Sequence, residues 1–192
     1  MSDRCIFYVP ILLALAVYAV RMGEIFAKRN TVAGKVSENL TLRLFIAVGT
    51  IMTFGSMIEY LVARRPVSWL AVAAGVVCAI VSFRLRWSAI AALGRFWSLH
   101  VEIRENHEFV QSGPFRFVRH PTYFSMVLEL LAFGLICNAW WMLLIIPFAF
   151  IPALLLRLRI EEAALVQKFG DTYREYQRRV PMLILYKWPS TK

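Results

Sequence analysis

The 192-residue chain is 59% hydrophobic, against about 45–50% for an ordinary soluble domain, and its mean hydropathy is +0.60. Its 22 basic and 12 acidic residues leave a net charge of +10, yet only 18% of all residues are charged. That balance excludes a cytosolic globule and speaks against nucleic acid as partner, because a phosphate reader wraps a charged surface around a modest core. It fits a single domain, residues 1–192, embedded in a membrane with basic flanks.

In chain order, five apolar stretches can span or nearly span a bilayer, which takes about 20 residues: 5–20, 44–63, 67–83, 121–136 and 139–156. Each is short, and flanking arginines that reach the headgroups compensate. The first contains Ala14-Leu15-Ala16, which resembles a signal-peptide cleavage site. Its amino-terminal flank is electrically neutral (Asp3, Arg4), so it reads as a retained span. The third is bracketed by Arg64 and Arg65 before it and by Arg84 and Arg86 after it. Residues 84–119 are too polar to span, and Ser112-Gly113-Pro114 reads as a turn. Asn138 is the only strongly polar residue between Ile136 and Leu156, which predicts a tight helical hairpin with Trp140 and Trp141 at the far interface. Pro147 and Pro152 predict a kink or local unwinding in the fifth span. Beyond it, 160–169 and 172–179 read as two short helices separated at Gly170-Asp171.

Charge then sets orientation. Segments 21–43, 84–119 and 157–192 carry 5, 6 and 8 basic residues, whereas the alternate segments carry only Arg4, Arg64 and Arg65. By the positive-inside rule the amino terminus lies outside, the carboxyl terminus lies in the cytoplasm, and segments 84–120 and 157–192 hold the functional chemistry. Cys5, Cys78 and Cys137 lie in or beside apolar runs without CxxC spacing, so neither a disulfide framework nor a zinc site is expected.

Three constellations carry candidate chemistry. Arg119-His120-Pro121-Thr122-Tyr123 opens the fourth span, where a helix amino terminus offers backbone N–H groups to an anion. It also reads as a plain helix start with an interfacial arginine. Arg157, Glu161 and Glu162 crowd the end of the fifth span, with Arg157 and Glu161 on one helix face. As a bare pattern this is equally a surface ion pair. Glu129 in mid-span, and Glu59 near the end of the second span, are ionisable groups at membrane depth that need a partner, water or a ligand. His100 and His107 lack metal-ligand spacing, so no metal is expected. No GxGxxG, GxxxxGK[ST] or GxSxG motif occurs.

Taken in order, His107-Glu108-Phe109-Val110, Ser112-Gly113-Pro114-Phe115, Arg119-His120-Pro121-Thr122-Tyr123, and the tail Arg157…Glu161-Glu162…Leu165…Phe169-Gly170…Tyr173…Tyr176…Val180-Pro181 resemble the isoprenylcysteine carboxyl methyltransferase family, over about 85 residues. Either block alone also resembles phospholipid methyltransferases and sterol reductases. The resemblance implies an all-α integral membrane protein whose five transmembrane helices leave a cytoplasmic cofactor pocket between the last two spans and the carboxyl-terminal helices. It implies S-adenosyl-L-methionine as cofactor, contacted by His100, His107, Glu108, Phe109, Val110, Phe115, His120, Pro121, Thr122, Tyr123 and Glu161. Arg157 and Glu161 would be the catalytic pair, with Arg157 and Glu129 facing a lipid-tailed small-molecule or peptide acceptor. His100 stands where relatives carry a cofactor-contacting glutamine, and Phe115 where they carry a tyrosine. The alternatives are methyl transfer to a lipid amine or thiol, a sterol-type membrane reductase, and a lipid-binding anchor without enzymatic activity.

Overall fold

The computed structural model describes residues 2–27, 35–36, 40–94, 102–103 and 110–183. Helices dominate: α1 (Ser2–Phe26), α2 (Leu40–Ala63), α3 (Trp69–Leu93), a 3₁₀ turn (Gly113–Arg116), α4 (Pro121–Ile136), α5 (Trp140–Ile145), a π turn (Ile146–Phe150), α6 (Ile151–Phe169) and α7 (Asp171–Arg179). Two two-residue strands, β1 (Lys35–Val36) and β2 (Glu102–Ile103), pair antiparallel. Among the described residues, four helical stretches are long and apolar enough to cross a membrane: Cys5–Phe26, Arg43–Ala63, Trp69–Leu93 and Trp140–Phe169. α4 is apolar but has only 16 residues, about 24 Å at the usual helical rise, against a bilayer core of about 30 Å.

The helices outrun the apolar windows that announce them. α1 continues past Val20 to Phe26, and α3 continues past Phe83 to Leu93. Arg84 is exposed as a flanking residue should be. Arg86, expected to flank the span as well, is instead fully buried at 2% exposure. Its carboxylate partners, Glu24 and Glu129, come from α1 and α4, so the arginine needs no headgroup. The helical segment expected at 160–169 is continuous with the apolar stretch before it in α6, as the shared face of Arg157 and Glu161 requires.

Contacts between helix ends show successive helices running in alternate directions. At one end, the Tyr60 hydroxyl of α2 donates to the Phe7 carbonyl of α1 (2.8 Å). At the other, Arg86 of α3 meets Glu24 of α1 (2.9 Å). α3 and α4 approach closely at small residues. A Cβ placed on Gly75 would lie 2.9 Å from the Ile136 amide nitrogen and 3.0 Å from the Ala132 carbonyl oxygen. Around that approach Tyr60, Ala79, Phe133 and Ile136 form one apolar core, and Phe45, Met52, Phe150, Leu154 and Leu158 form a second beside α6.

The expected hairpin is present. Asn138 adopts a positive φ of 49° between α4 and α5, and the Ala139 amide returns to the Gly134 carbonyl at 2.8 Å. Glu59 takes a structural part there. It accepts the Trp141 and Met142 amides (3.2 and 3.1 Å), capping the start of α5 from a neighbouring helix, and Arg65 holds it at 3.0 Å. The unwinding expected near Pro147 appears as the π turn over Ile146–Phe150. Proline has no amide hydrogen to give the ladder, and a π turn accommodates the gap.

The tight α3–α4 contact generates a prediction. Gly75→Ala lowers thermal stability in detergent despite alanine's better helix propensity, because helix backbone must shift to admit the methyl. Gly49→Ala, whose added Cβ meets nothing within 4 Å, is neutral or stabilises by up to about 1 kcal/mol.

Candidate active site

The site grows from the entry to α4. Pro121 occupies the first helical position, where a missing amide hydrogen costs nothing. The chain following α7 runs back beside this entry: the Arg119 amide donates to the Pro181 carbonyl (2.9 Å) and the His120 amide to the Met182 carbonyl (3.1 Å). α4, α6 and α7 therefore meet at one corner.

Glu162 of α6 is the hub of that corner. Its carboxylate accepts a forked pair from Arg119 (Nε at 2.7 Å, Nη2 at 3.2 Å) and a third bond from Gln177 Nε2 (2.9 Å). His120 Nε2 lies 2.9 Å away. The planar guanidinium matches both carboxylate oxygens at once. The remaining Arg119 nitrogen, Nη1, donates to the carbonyls of Gln177 (2.8 Å) and Val180 (2.6 Å), where α7 ends and a cation is favoured.

Glu161, one step and about 100° round the same helix, turns to α4 instead. Arg157 Nε donates to the Tyr123 hydroxyl (2.8 Å), and that hydroxyl donates to Glu161 Oε2 (2.7 Å). The arginine and the glutamate, one turn apart, are thus joined through a tyrosine from the facing helix. Glu161 Oε1 lies 3.8 Å from His120 Nδ1, so the imidazole sits between two carboxylates. The Glu161 side chain is 25% exposed and Glu162 10%, which makes Glu161 the accessible acid of the two.

The structure brings together His120, Pro121, Tyr123, Arg157 and Glu161 of the expected residues. Thr122 is in the same turn and half-buried, and Val110 is half-buried upstream. The Phe115 ring is buried, and its carbonyl receives the Tyr176 hydroxyl at 2.6 Å, tying the 3₁₀ turn to α7. His100, His107, Glu108 and Phe109 lie outside the described residues. Glu129 joins a different group of charges, with Arg86 and Arg21. Among the described residues no group of His, Cys, Asp and Glu is placed to hold a metal ion. Sequence reasoning missed the joint role of Arg119, Glu162 and Gln177. The signal was present in the strongly polar run of α7, whose carbonyl end needed a cation.

Two predictions follow from the corner's electrostatics. Glu162→Ala strands Arg119 in a buried position and costs about 3–5 kcal/mol, the scale for breaking a buried pair. Glu161→Ala costs markedly less; thermal unfolding of the two variants checks the order. Burial, with the Glu162 charge second, pushes the Tyr173 phenol above its ordinary value of 10, and burial does the same to Tyr176. The folded state therefore holds these protons after the unfolded chain has released them. Stability is constant in this respect below pH 10 and declines above it, which a melting series across alkaline pH reads directly.

The model of the isoprenylcysteine carboxyl methyltransferase (ICMT) family matches residues 74–167. The match starts inside α3, earlier than the motif likeness, and contains the α4 entry, Arg157, Glu161 and Glu162. The chain is 32% identical over 108 residues to the cobalt-zinc-cadmium resistance protein CzcN of Cupriavidus metallidurans, covering 54% of this chain and 50% of that one. It is 31% identical over 99 residues to the protein-S-isoprenylcysteine O-methyltransferase of Schizosaccharomyces pombe, covering 50% of this chain and 42% of that one. Its fold resembles the solved structure of the eukaryotic intramembrane Ras methyltransferase ICMT, with a TM-score of 0.61, 25% identity, and coverage of 74% of this chain and 53% of that one. The chain thus spans about half the length of these three proteins. With the two motif blocks, the bundle and the family match converging on one corner, residues 74–167 belong to the isoprenylcysteine carboxyl methyltransferase family.

Proposed function

We propose that this protein is an S-adenosyl-L-methionine-dependent carboxyl O-methyltransferase acting on a lipid-tailed, isoprenylcysteine-like acceptor at the membrane interface. The observation that carries the reading is the Tyr123 hydroxyl, which joins Arg157 to Glu161 beside the entry to α4. It gathers a cation suited to an acceptor carboxylate and an accessible acid suited to a cofactor at one end of the bundle. Membership of the family and the activity named for the Schizosaccharomyces relative support the same chemistry. The metal-resistance name of the Cupriavidus relative finds no counterpart in the described side chains.

The residues present fit the cofactor. The α4 start carries no side-chain cap, which leaves its first-turn amides to a carboxylate such as that of the donor's methionine moiety. Glu161 would accept hydrogen bonds from ribose or amino groups. When bound, the donor supplies a methyl group activated on a sulfonium. An acceptor carboxylate is already ionised at neutral pH, so the protein needs no strong general base. Its work is to align the partners and exclude water, and alignment is worth about 7–11 kcal/mol of barrier. Arg157 orients the acceptor carboxylate through its fixed fork of donors.

The same reading sets the protein in five crossings, with α4 as the short fourth one and its amino terminus outside. The corner then faces the cytoplasm, and the acceptor's lipid tail enters sideways between helices. The amine-acceptor alternative is the weaker one, since Glu129 and Glu162 are both engaged by arginines.

Calorimetric titration of S-adenosylmethionine and S-adenosylhomocysteine into the detergent-purified chain tests the proposal. Saturable binding, weakened in Glu161→Ala, is expected. Arg157→Ala abolishes methyl transfer to an N-acetyl S-prenylcysteine while leaving cofactor affinity close to the parent's. Absence of binding by a folded parent overturns the function, and equal loss of binding and turnover in Arg157→Ala overturns the role of that residue.

A further inference from the structure

A second polar cluster lies among the helices and takes no part in the chemistry above. Arg86 of α3, Glu24 of α1 and Glu129 of α4 are each less than a tenth exposed, and Ser82 and Ser125 are fully buried. The Arg86 guanidinium uses every nitrogen. Nε donates to Ser125 Oγ (2.9 Å), Nη1 to Glu24 Oε2 (2.9 Å), and Nη2 to Ser82 Oγ (3.2 Å) and to the Glu129 carboxylate. Arg21 adds a second cation, 3.3 Å from Glu24 and 3.8 Å from Glu129, so two arginines face two glutamates.

The serines give this cluster a direction. An arginine only donates, so each serine oxygen that accepts from it must pass its own proton onward. Ser125 Oγ donates to the Thr122 carbonyl (2.6 Å), and Ser82 Oγ donates to the Ser125 carbonyl (2.7 Å). Both recipients are backbone groups of α4. Thr122 belongs to the first turn, between His120 and Tyr123, and serine bonds of this kind bend the helix that receives them. A cluster whose task was charge compensation alone would need the glutamates but not this serine relay.

We propose that Arg86, held by Glu24 and Glu129, is a positioning residue: through Ser125 it fixes the first turn of α4 and so sets Tyr123 against Arg157 and Glu161. The catalytic consequence rests on the methyltransferase reading of that corner; the positional claim does not. Glu24 lies outside the family-matched residues 74–167, so this chain recruits α1 to steady a turn that the matched region supplies.

Ser125→Ala tests the relay, since it removes the hydroxyl and leaves all four charges in place. In the full-length, detergent-purified protein, amide hydrogen exchange over residues 121–128 accelerates severalfold. With an N-acetyl S-prenylcysteine as acceptor, kcat falls by about tenfold, the scale of a small misalignment, while KM and S-adenosylhomocysteine affinity change little. Glu24→Gln moves the same readouts in the same direction, and in the Ser125→Ala background it lowers kcat no further, as expected of two members of one relay. Unchanged exchange in Ser125→Ala overturns the proposal, as do fully additive kcat losses in the double variant. If the parent neither binds the cofactor nor transfers a methyl group, the methyltransferase reading falls, and the exchange arm still decides whether Arg86 orders α4.

Discussion

The carboxylate of Glu162 is the fixed point of the described corner. Withdrawing a carboxylate from water is costly, and an unpaired one would not stay charged there. Glu162 is matched by an arginine fork, an amide from α7 and the His120 imidazole. These partners come from two segments distant in sequence, Arg119-His120 and α7, so the bonds that settle the charge also dock α7 and the chain after it against the start of α4. Once Glu162 is committed to that task, its neighbour Glu161 is left facing the other way, toward Tyr123. Two adjacent acids thus divide the labour: one assembles the corner, and the other is presented by it.

The bundle has a second constraint of opposite character. Where α3 and α4 cross, small residues let backbones approach, and no polar partner is involved. Closer to the candidate site the same two helices are held by Arg86 and its acids. Glycine contact fixes the distance between the helices, and the charged cluster adds α1 to the pair. A bundle built only on apolar contacts would have little to hold one helix rotation over another, because lipid is as apolar as leucine.

What could be read from the sequence divides along the same line. Local signals were legible. Asn138 between two apolar runs gave the hairpin, Pro147 the break that became a π turn, Arg157 and Glu161 their shared helix face, and Arg119–Tyr123 the entry to α4. Relations between helices were not. Arg86 stands at the end of an apolar window and reads as a flank, because the carboxylates that admit it to the interior lie 62 residues before it and 43 after it. Glu59 reads as a buried acid until the amides of α5 arrive above it.

The π turn at Ile146–Phe150 has a rotational meaning. One extra residue in a turn advances the phase of everything after it by about 100° relative to an uninterrupted helix. Arg157, Glu161 and Glu162 all lie on the far side of that phase step, and α5, whose start is pinned by Glu59, lies on the near side. The angle at which the three charged residues address α4 and α7 is therefore written upstream of them, in the purely apolar segment Ile146–Phe150. A single-residue deletion there would leave the span almost as long and as greasy as before, yet point its chemistry at lipid.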